Sequence, residues 1–379
     1  RDSPHAFIDL GARSSHVTIR ECVFINCPTS KPESRKWHAG ITGSGPDASH
    51  VVIENNILDR RPNRDWVYKE CDVINPYEGS WCTHWVIRNN IITGYDKMQL
   101  GHGGSPDLIT LGSPPTYHLI EGNEFFECNR AIHMKSSDNI FRGNYIHDMV
   151  PGYTRKPVGM MDRSGQRNTY DGNTVLDAPY AGIFVLGQEA MVINNVFVRC
   201  KVGVLVAMRT FGSPAGAGRW RGRTHVYHNT FVDTTRAVQV DTKRDALVYN
   251  NIICNFPGDD EHTPTAPTIT GDATGVFPIE ELDWALGDRF QHNEPGLVQA
   301  GYNLYWNAEP PYLRNYEGGH GNVYADPLFV NAAEDDYRLR SDSPAREAGR
   351  AINVGHDKQG RSRPVSAPDL GALQHSPLP

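Results

Sequence analysis

The chain has 379 residues, 39% of them hydrophobic and 21% charged, with a formal net charge of −7. That length buries a sizeable core in one large or two ordinary domains, and no apolar run approaches the ~18 residues that cross a bilayer. The mild negative charge argues against nucleic acid as a general partner, so neither nucleic-acid binding nor membrane insertion is expected.

The 36 glycines and 26 prolines are about one residue in six, against a usual one in eight or so. The chain is turn-rich, yet its apolar runs are too regular for disorder. It opens on Arg1-Asp2-Ser3-Pro4 with no signal-peptide pattern, and strand-like alternation is already running by Phe7. A leader and some upstream residues are therefore expected before Arg1.

From there one phrase recurs: a short β-type run, a polar pair ending in asparagine, then a second apolar run. It reads Val51-Val52-Ile53-Glu54-Asn55-Asn56-Ile57-Leu58, then Trp85-Val86-Ile87-Arg88-Asn89-Asn90-Ile91-Ile92. Shorter forms follow at His118-Leu119-Ile120-Glu121-Gly122-Asn123, Ile140-Phe141-Arg142-Gly143-Asn144 and Thr169-Tyr170-Asp171-Gly172-Asn173. The last are Val192-Ile193-Asn194-Asn195, Val226-Tyr227-His228-Asn229 and Leu247-Val248-Tyr249-Asn250-Asn251. The final asparagines fall at 56, 90, 123, 144, 173, 195, 229 and 251, separated by 34, 33, 21, 29, 22, 34 and 22 residues. A basic coil of 21–22 residues fits, the longer gaps being coils with inserted loops at 60–84, 96–116, 151–158 and 210–223. An acidic, proline-rich excursion over about 256–300 interrupts the repeat. Gly301-Tyr302-Asn303-Leu304-Tyr305 resumes it, and 301–379 reads as a closing coil; no second domain is expected within 1–379.

A coil this short cannot bury its inward face alone, so coils must stack. The asparagine is expected at the bend, where its side chain tolerates left-handed geometry, and stacking would let the asparagines hydrogen-bond as a ladder. β-branched and aromatic content with two-residue alternation disfavours a helical repeat. A propeller needs a longer period, and a leucine framework is missing. The expected fold is all-β: a right-handed parallel β-helix with its loop insertions on one face. Seven cysteines (22, 27, 71, 82, 128, 200 and 254) are too scattered for a disulfide scaffold, and their odd number leaves at least one thiol free or paired between chains. Cys128 and Cys200 each follow a repeated asparagine by five residues, which favours a buried, stacked position; a Cys71–Cys82 bridge across one excursion stays open.

Between 118 and 197 the words are more specific. Lys135-Ser136-Ser137-Asp138-Asn139 and Gly159-Met160-Met161-Asp162-Arg163-Ser164-Gly165, followed by Asp171-Gly172-Asn173 and Ala181-Gly182-Ile183-Phe184, resemble the polysaccharide lyase family of chondroitinase-B-like and alginate lyases. The resemblance covers roughly 80 residues well and perhaps 250 loosely. It implies β-elimination on a uronate-containing glycan, with Lys135 as catalytic base and Arg163 as charge stabiliser or acid. The chemistry is coherent: removing the proton α to a carboxylate needs a base and a cationic setting for the developing enolate. A partly desolvated lysine among other cations loses its proton more easily, whereas arginine keeps its own. Lys135 stands nine residues before Asn144 and Arg163 ten before Asn173, near-equivalent places on successive coils. The family's calcium site draws on two acidic residues just before the lysine, where this chain has Asn129-Arg130-Ala131-Ile132-His133-Met134. No catalytic calcium and no other cofactor are therefore expected, and Arg130 could neutralise the substrate carboxylate instead. The family's Arg-His-Gly word is Arg163-Ser164-Gly165 here, and its later Gly-Ile-Arg word is Gly182-Ile183-Phe184.

Further candidates for holding an acidic polysaccharide are His133, which would share a strand face with Lys135, His147 beside Asp148, the basic residues Arg155, Arg209 and Arg221, and Tyr180 as a sugar-stacking ring. The expected protein is a secreted or periplasmic monomer. Two rival readings stay open: a glycoside hydrolase using Asp148, Asp162 and Asp177, or a non-catalytic carbohydrate-binding β-helix.

Overall fold

The repeated phrase folds into two short strands and the corner between them. In the computed structural model, Val52–Glu54 and Ile57–Asp59 are joined by Asn55 and Asn56, and Val86–Arg88 and Ile91–Thr93 by Asn89 and Asn90. A third strand completes each coil. The residues described are 7–11, 13–25, 39–43, 48–60, 72–75, 82–95, 97–100, 116–150, 157–163, 165–207, 222–240, 244–256, 269–270, 298–308 and 316–375. The chain forms two compact units, one of residues 1–169 and 176–187, the other of 170–175 and 188–379. Among the described residues no helix is long and apolar enough to cross a membrane.

In the first unit, three parallel sheets follow one another around each coil. Sheet A holds Ile8–Asp9, Ala39–Thr42, Asp72–Asn75, Lys97–Leu100, Arg130–Met134, Val158–Asp162 and Ala181–Val185. Sheet B runs from Thr18–Arg20 to Ile140–Arg142, and sheet C from Val23–Ile25 to Tyr145–His147. Two of the stretches expected as inserted loops, 60–84 and 96–116, therefore contain the coil's own sheet A strands, Asp72–Asn75 and Lys97–Leu100. Their pattern was hidden because sheet A strands lack the asparagine that marks the B–C corner.

The corner between sheets B and C is built by two residues with separate duties. The first takes the left-handed conformation: Asn55 (φ 56°), Asn89 (φ 54°), Gly122 (φ 62°) and Gly143 (φ 60°). The second, Asn56, Asn90, Asn123 or Asn144, is 1% exposed and forms the ladder. The expectation that the ladder asparagine itself adopts the left-handed bend is corrected: the residue before it does, because that turn swings the next side chain inward. Asn90 donates from its backbone N (3.0 Å) and Nδ2 (2.9 Å) to Oδ1 of Asn123, which donates in the same way to Asn144 (both 3.0 Å). Nδ2 of Asn123 also donates to the Ile87 carbonyl at 2.8 Å, so each buried amide is satisfied by the neighbouring coils. Inside lie registered stacks: Ile53, Ile87, Ile120 and Phe141 from sheet B, and Leu58, Ile92, Phe125 and Ile146 from sheet C. All eight are at most 1% exposed, and each contributes about 1.5–3 kcal/mol of burial.

The second unit repeats the scheme, its ladder running Asn173, Asn195, Asn229, Asn251, Asn303 and Asn322. Within the expected excursion, Ile269–Thr270 pairs with Val238 and Gln239 in sheet A, and Val298–Gly301 pairs with Ala246–Tyr249 in sheet B. The coil thus resumes at Val298, just before the expected Gly301. After a small antiparallel pair, Phe329–Asn331 with Asp336–Leu339, residues 343–375 cross the B–C corner as a strap. Arg350 exchanges hydrogen bonds with the Asn250 side chain (2.8 and 2.9 Å), and Arg363 donates to Oδ1 of Asn194 (3.0 Å). His356 meets Asp171 at 2.8 Å. Cys128 and Cys200 are buried as expected; Cys82 is buried beside the Gly43 carbonyl, and Cys71 lies outside the described residues.

Chain of variable length enters at the ends of sheet A strands. Residues 101–118 separate Lys97–Leu100 from Leu119–Glu121, and 148–157 separate Tyr145–His147 from Val158–Asp162. In the second unit, 207–222 separate Val202–Val206 from Arg223–Tyr227. The B–C corner keeps two residues in every coil as far as Leu304–Trp306, and the last link, 319–322, has four.

Two predictions follow from the buried polar groups. Replacing Asn123→Ala strips two donors of Asn90 of their acceptor and should cost about 3 kcal/mol; urea unfolding at an unchanged m-value reads this directly, and a loss below about 0.5 kcal/mol would remove the ladder from the stability argument. His118, 1% exposed, accepts a hydrogen bond from the Trp85 backbone N at Nδ1 (3.1 Å). Burial first, then nearby His84, lowers its pKa to about 3. The folded ring stays neutral while the unfolded ring titrates near 6.5, so its contribution is complete above pH 6.5 and is lost as pH falls towards 3. Between pH 7 and pH 5 the wild type should lose about 1–2 kcal/mol more than His118→Gln; parallel stability curves would contradict this.

Candidate functional site

Sheet A gathers most of the described candidates. Arg130–Met134 and Val158–Asp162 run parallel with Ile132 opposite Met160, His133 opposite Met161 and Met134 opposite Asp162. Ala181–Val185 continues the register, Phe184 meeting Met161 and Val185 meeting Asp162. Met134, Asp162 and Val185 are each 0% exposed and face the core. Strand alternation therefore turns the next residues, Lys135 and Arg163, to the outer face. The Arg163 backbone N donates to the Met134 carbonyl at 2.8 Å, which fixes Lys135 and Arg163 at equivalent places on adjacent coils, ~4.8 Å apart along the sheet. Both are half-buried. A base and a permanent cation side by side suit proton abstraction next to a carboxylate.

His133 shares the outer face of the same strand, two residues before Lys135, and is 1% exposed. Its register neighbours are Gln99, Met161 and, one strand further, Phe184. Arg130, at the head of that strand, is also 1% exposed. Tyr180 precedes Ala181–Val185, 3% exposed, with its ring edge-on to Phe184 at 6.1 Å. His147 stands on sheet C rather than sheet A. Its ring nitrogens meet Asp148 Oδ2 (2.7 Å) and Glu124 Oε1 (3.1 Å), and its ring stacks on Phe126 (5.3 Å) and Tyr145 (4.5 Å). The chain does not bring His147 to Lys135. Arg155, Arg209 and Arg221 lie outside the described residues.

The three aspartates of the hydrolase reading do not converge. Asp162 points into the core. Asp148 and Asp177 occupy left-handed turns (φ 46° and 51°) at the end of sheet C strands.

Below Lys135 and Arg163 lies a buried polar network that the sequence reading missed. A second, shorter asparagine ladder occupies the corner between sheets A and B: Asn139 donates from N (2.9 Å) and Nδ2 (3.1 Å) to Oδ1 of Asn168. Asp138 and Arg167, just before them, take the left-handed turn (φ 61° and 55°) and pair on the surface at 2.7 Å. The signal was present, since Asp138-Asn139 and Arg167-Asn168 are the same polar pair ending in asparagine. Among the described residues no group of three or more His, Cys, Asp or Glu side chains could hold a metal ion.

Against known proteins, the family described as right handed beta helix region matches residues 73–253. No curated protein matches the sequence. Among solved structures, the chain is similar to one titled the complex structure of XylC with xylose, at 12% identity and a TM-score of 0.50, over 89% of this chain and 67% of that one. It is similar to the PL6 family alginate lyase AlyGC at 14% identity and a TM-score of 0.40, over 96% of this chain and 55% of that one. The PL6 family polysaccharide lyase Pedsa3628 from Pseudopedobacter saltans matches at 14% identity and a TM-score of 0.37, over 94% and 93%. The family match and the first of these structures establish the fold as a right-handed parallel β-helix.

Proposed function

We propose that the protein is a polysaccharide lyase that cleaves a uronate-containing glycan by β-elimination. The observation that carries the reading is the pairing of Lys135 and Arg163 at equivalent register positions on the outer face of sheet A. Neutral Lys135 takes the proton α to the uronate carboxylate. The electron pair of that C–H bond forms the new carbon–carbon double bond as the bond to the glycosidic oxygen breaks. Arg163 stabilises the enolate-like charge, and the departing oxygen gains a proton from solvent while Arg163 donates a hydrogen bond to it. Arg130 is proposed to help neutralise the substrate carboxylate in place of a calcium ion. His133 and Tyr180 line the same sheet, and Arg155, Arg209 and Arg221 are proposed to hold further carboxylates of the acidic polymer. The protein is proposed to act as a secreted or periplasmic monomer.

The test is ultraviolet absorbance of unsaturated uronate ends across a panel of acidic polysaccharides, with and without chelator. Turnover should survive the chelator and fall by about 10³-fold in Lys135→Ala. Saturated reducing sugars instead would move the activity to a hydrolase, and binding without any product would make the protein a carbohydrate-binding β-helix.

A further inference from the structure

Asp162 is a charged residue in the core, immediately before Arg163, and the mechanism above does not use it. It is 0% exposed. Its register neighbours on either side, Met134 and Val185, show that an apolar residue suffices for packing at this depth. A buried carboxylate loses several kcal/mol of hydration and persists only where its oxygens are fully engaged. Oδ1 accepts from the Gly165 backbone N at 2.7 Å, and Oδ2 from Asn168 Nδ2 at 3.0 Å. Asn168 Nδ2 also donates to the Ser136 carbonyl at 2.9 Å, and the Gln166 backbone N donates to Ser137 Oγ at 3.0 Å. The turn that follows Arg163 and the turn that follows Lys135 are thus bound into one network, and Asp162 is where that network meets the strand carrying Arg163.

Two glycines make room for this carboxylate. A methyl group on Gly165 would fall 2.0 Å from Asn168 Nδ2 and 2.4 Å from the Ser136 carbonyl; one on Gly187 would fall 2.6 Å from Asp162 Oδ1 and 2.3 Å from the Gly165 carbonyl. One coil earlier the corresponding donors meet a much weaker acceptor. Met134 Sδ takes the Ser136 backbone N and Asn139 Nδ2, each at 3.4 Å. At this depth the turn after Lys135 thus meets a thioether, and the turn after Arg163 a carboxylate.

We infer that Asp162 is a positioning residue, which holds the turn after Arg163 so that the guanidinium stays in register with Lys135. The inference rests on the lyase reading. An amide cannot replace the carboxylate, because one of its two polar atoms is a donor and would face either the Gly165 N–H or the Asn168 amide nitrogen.

Asp162→Met copies the residue already accepted at this depth one coil earlier, and Asp162→Asn keeps the shape while spoiling one hydrogen bond. Both should fold by circular dichroism and show kcat lowered about 10–100-fold with KM within about 2-fold, as expected when a reacting group is misplaced by an ångström or less. The discriminating measurement is a double-mutant cycle. In an Arg163→Ala background, Asp162→Met should cost nothing further, since nothing remains to be positioned. A full additional loss in that background would make Asp162 a general structural residue and overturn the inference, as would unaltered kcat in both single variants or failure of both to fold. Wild-type protein that releases no unsaturated product would bring down the lyase reading itself, and this inference with it.

Discussion

A buried amide must find hydrogen-bond partners or cost more than most side chains contribute. In each unit this chain meets that demand with a ladder, in which asparagines such as Asn90 and Asn195 donate to the next coil from both backbone and side chain. The ladder sets the register of sheets B and C, because slipping one coil by a residue would replace a satisfied amide with an unsatisfied one. The B–C corner keeps two residues as far as Leu304–Trp306, while the ends of sheet A strands accept connections of very different length.

The proposed reacting pair follows two strands of sheet A. The sheet A strands Arg130–Met134, Val158–Asp162 and Ala181–Val185 have five residues each, against three in their sheet B and C counterparts in the same coils. Their length lets a strand present an inward residue at its end and an outward one immediately after. Met134 and Lys135 form one such pair, Asp162 and Arg163 the next. The two outward residues follow directly on hydrogen-bonded strands, as the proposed reacting pair requires.

The second unit solves a different problem with the same chemistry. Asn194, His228 and Asn250 occupy its left-handed corner positions and are buried under the strap, where they bond to Arg363, Asp369 and Arg350. His228 is held neutral there, its pKa pushed well below the usual value by burial and by the neighbouring Arg363. A corner left open in one place thus becomes a polar seam in another, with the same backbone geometry.

The coil, its period and its ladder could be read from residues alone because they depend on near neighbours. A polar pair ending in asparagine makes the same turn wherever it occurs, so even the near-equivalence of Lys135 and Arg163 followed from counting to Asn144 and Asn173. What counting could not supply was which side of the sheet each residue faces and which sheet it joins. Asp162 and Arg163 are adjacent and both charged, yet one is in the core and the other on the outer face. His147, close to Lys135 in sequence, belongs to another sheet. The strands Asp72–Asn75 and Lys97–Leu100 were likewise hidden inside apparent loops. Those outcomes rest on strand parity and on hydrogen bonds to residues 21 and 32 positions away, and only the stacked tertiary structure brings such partners together.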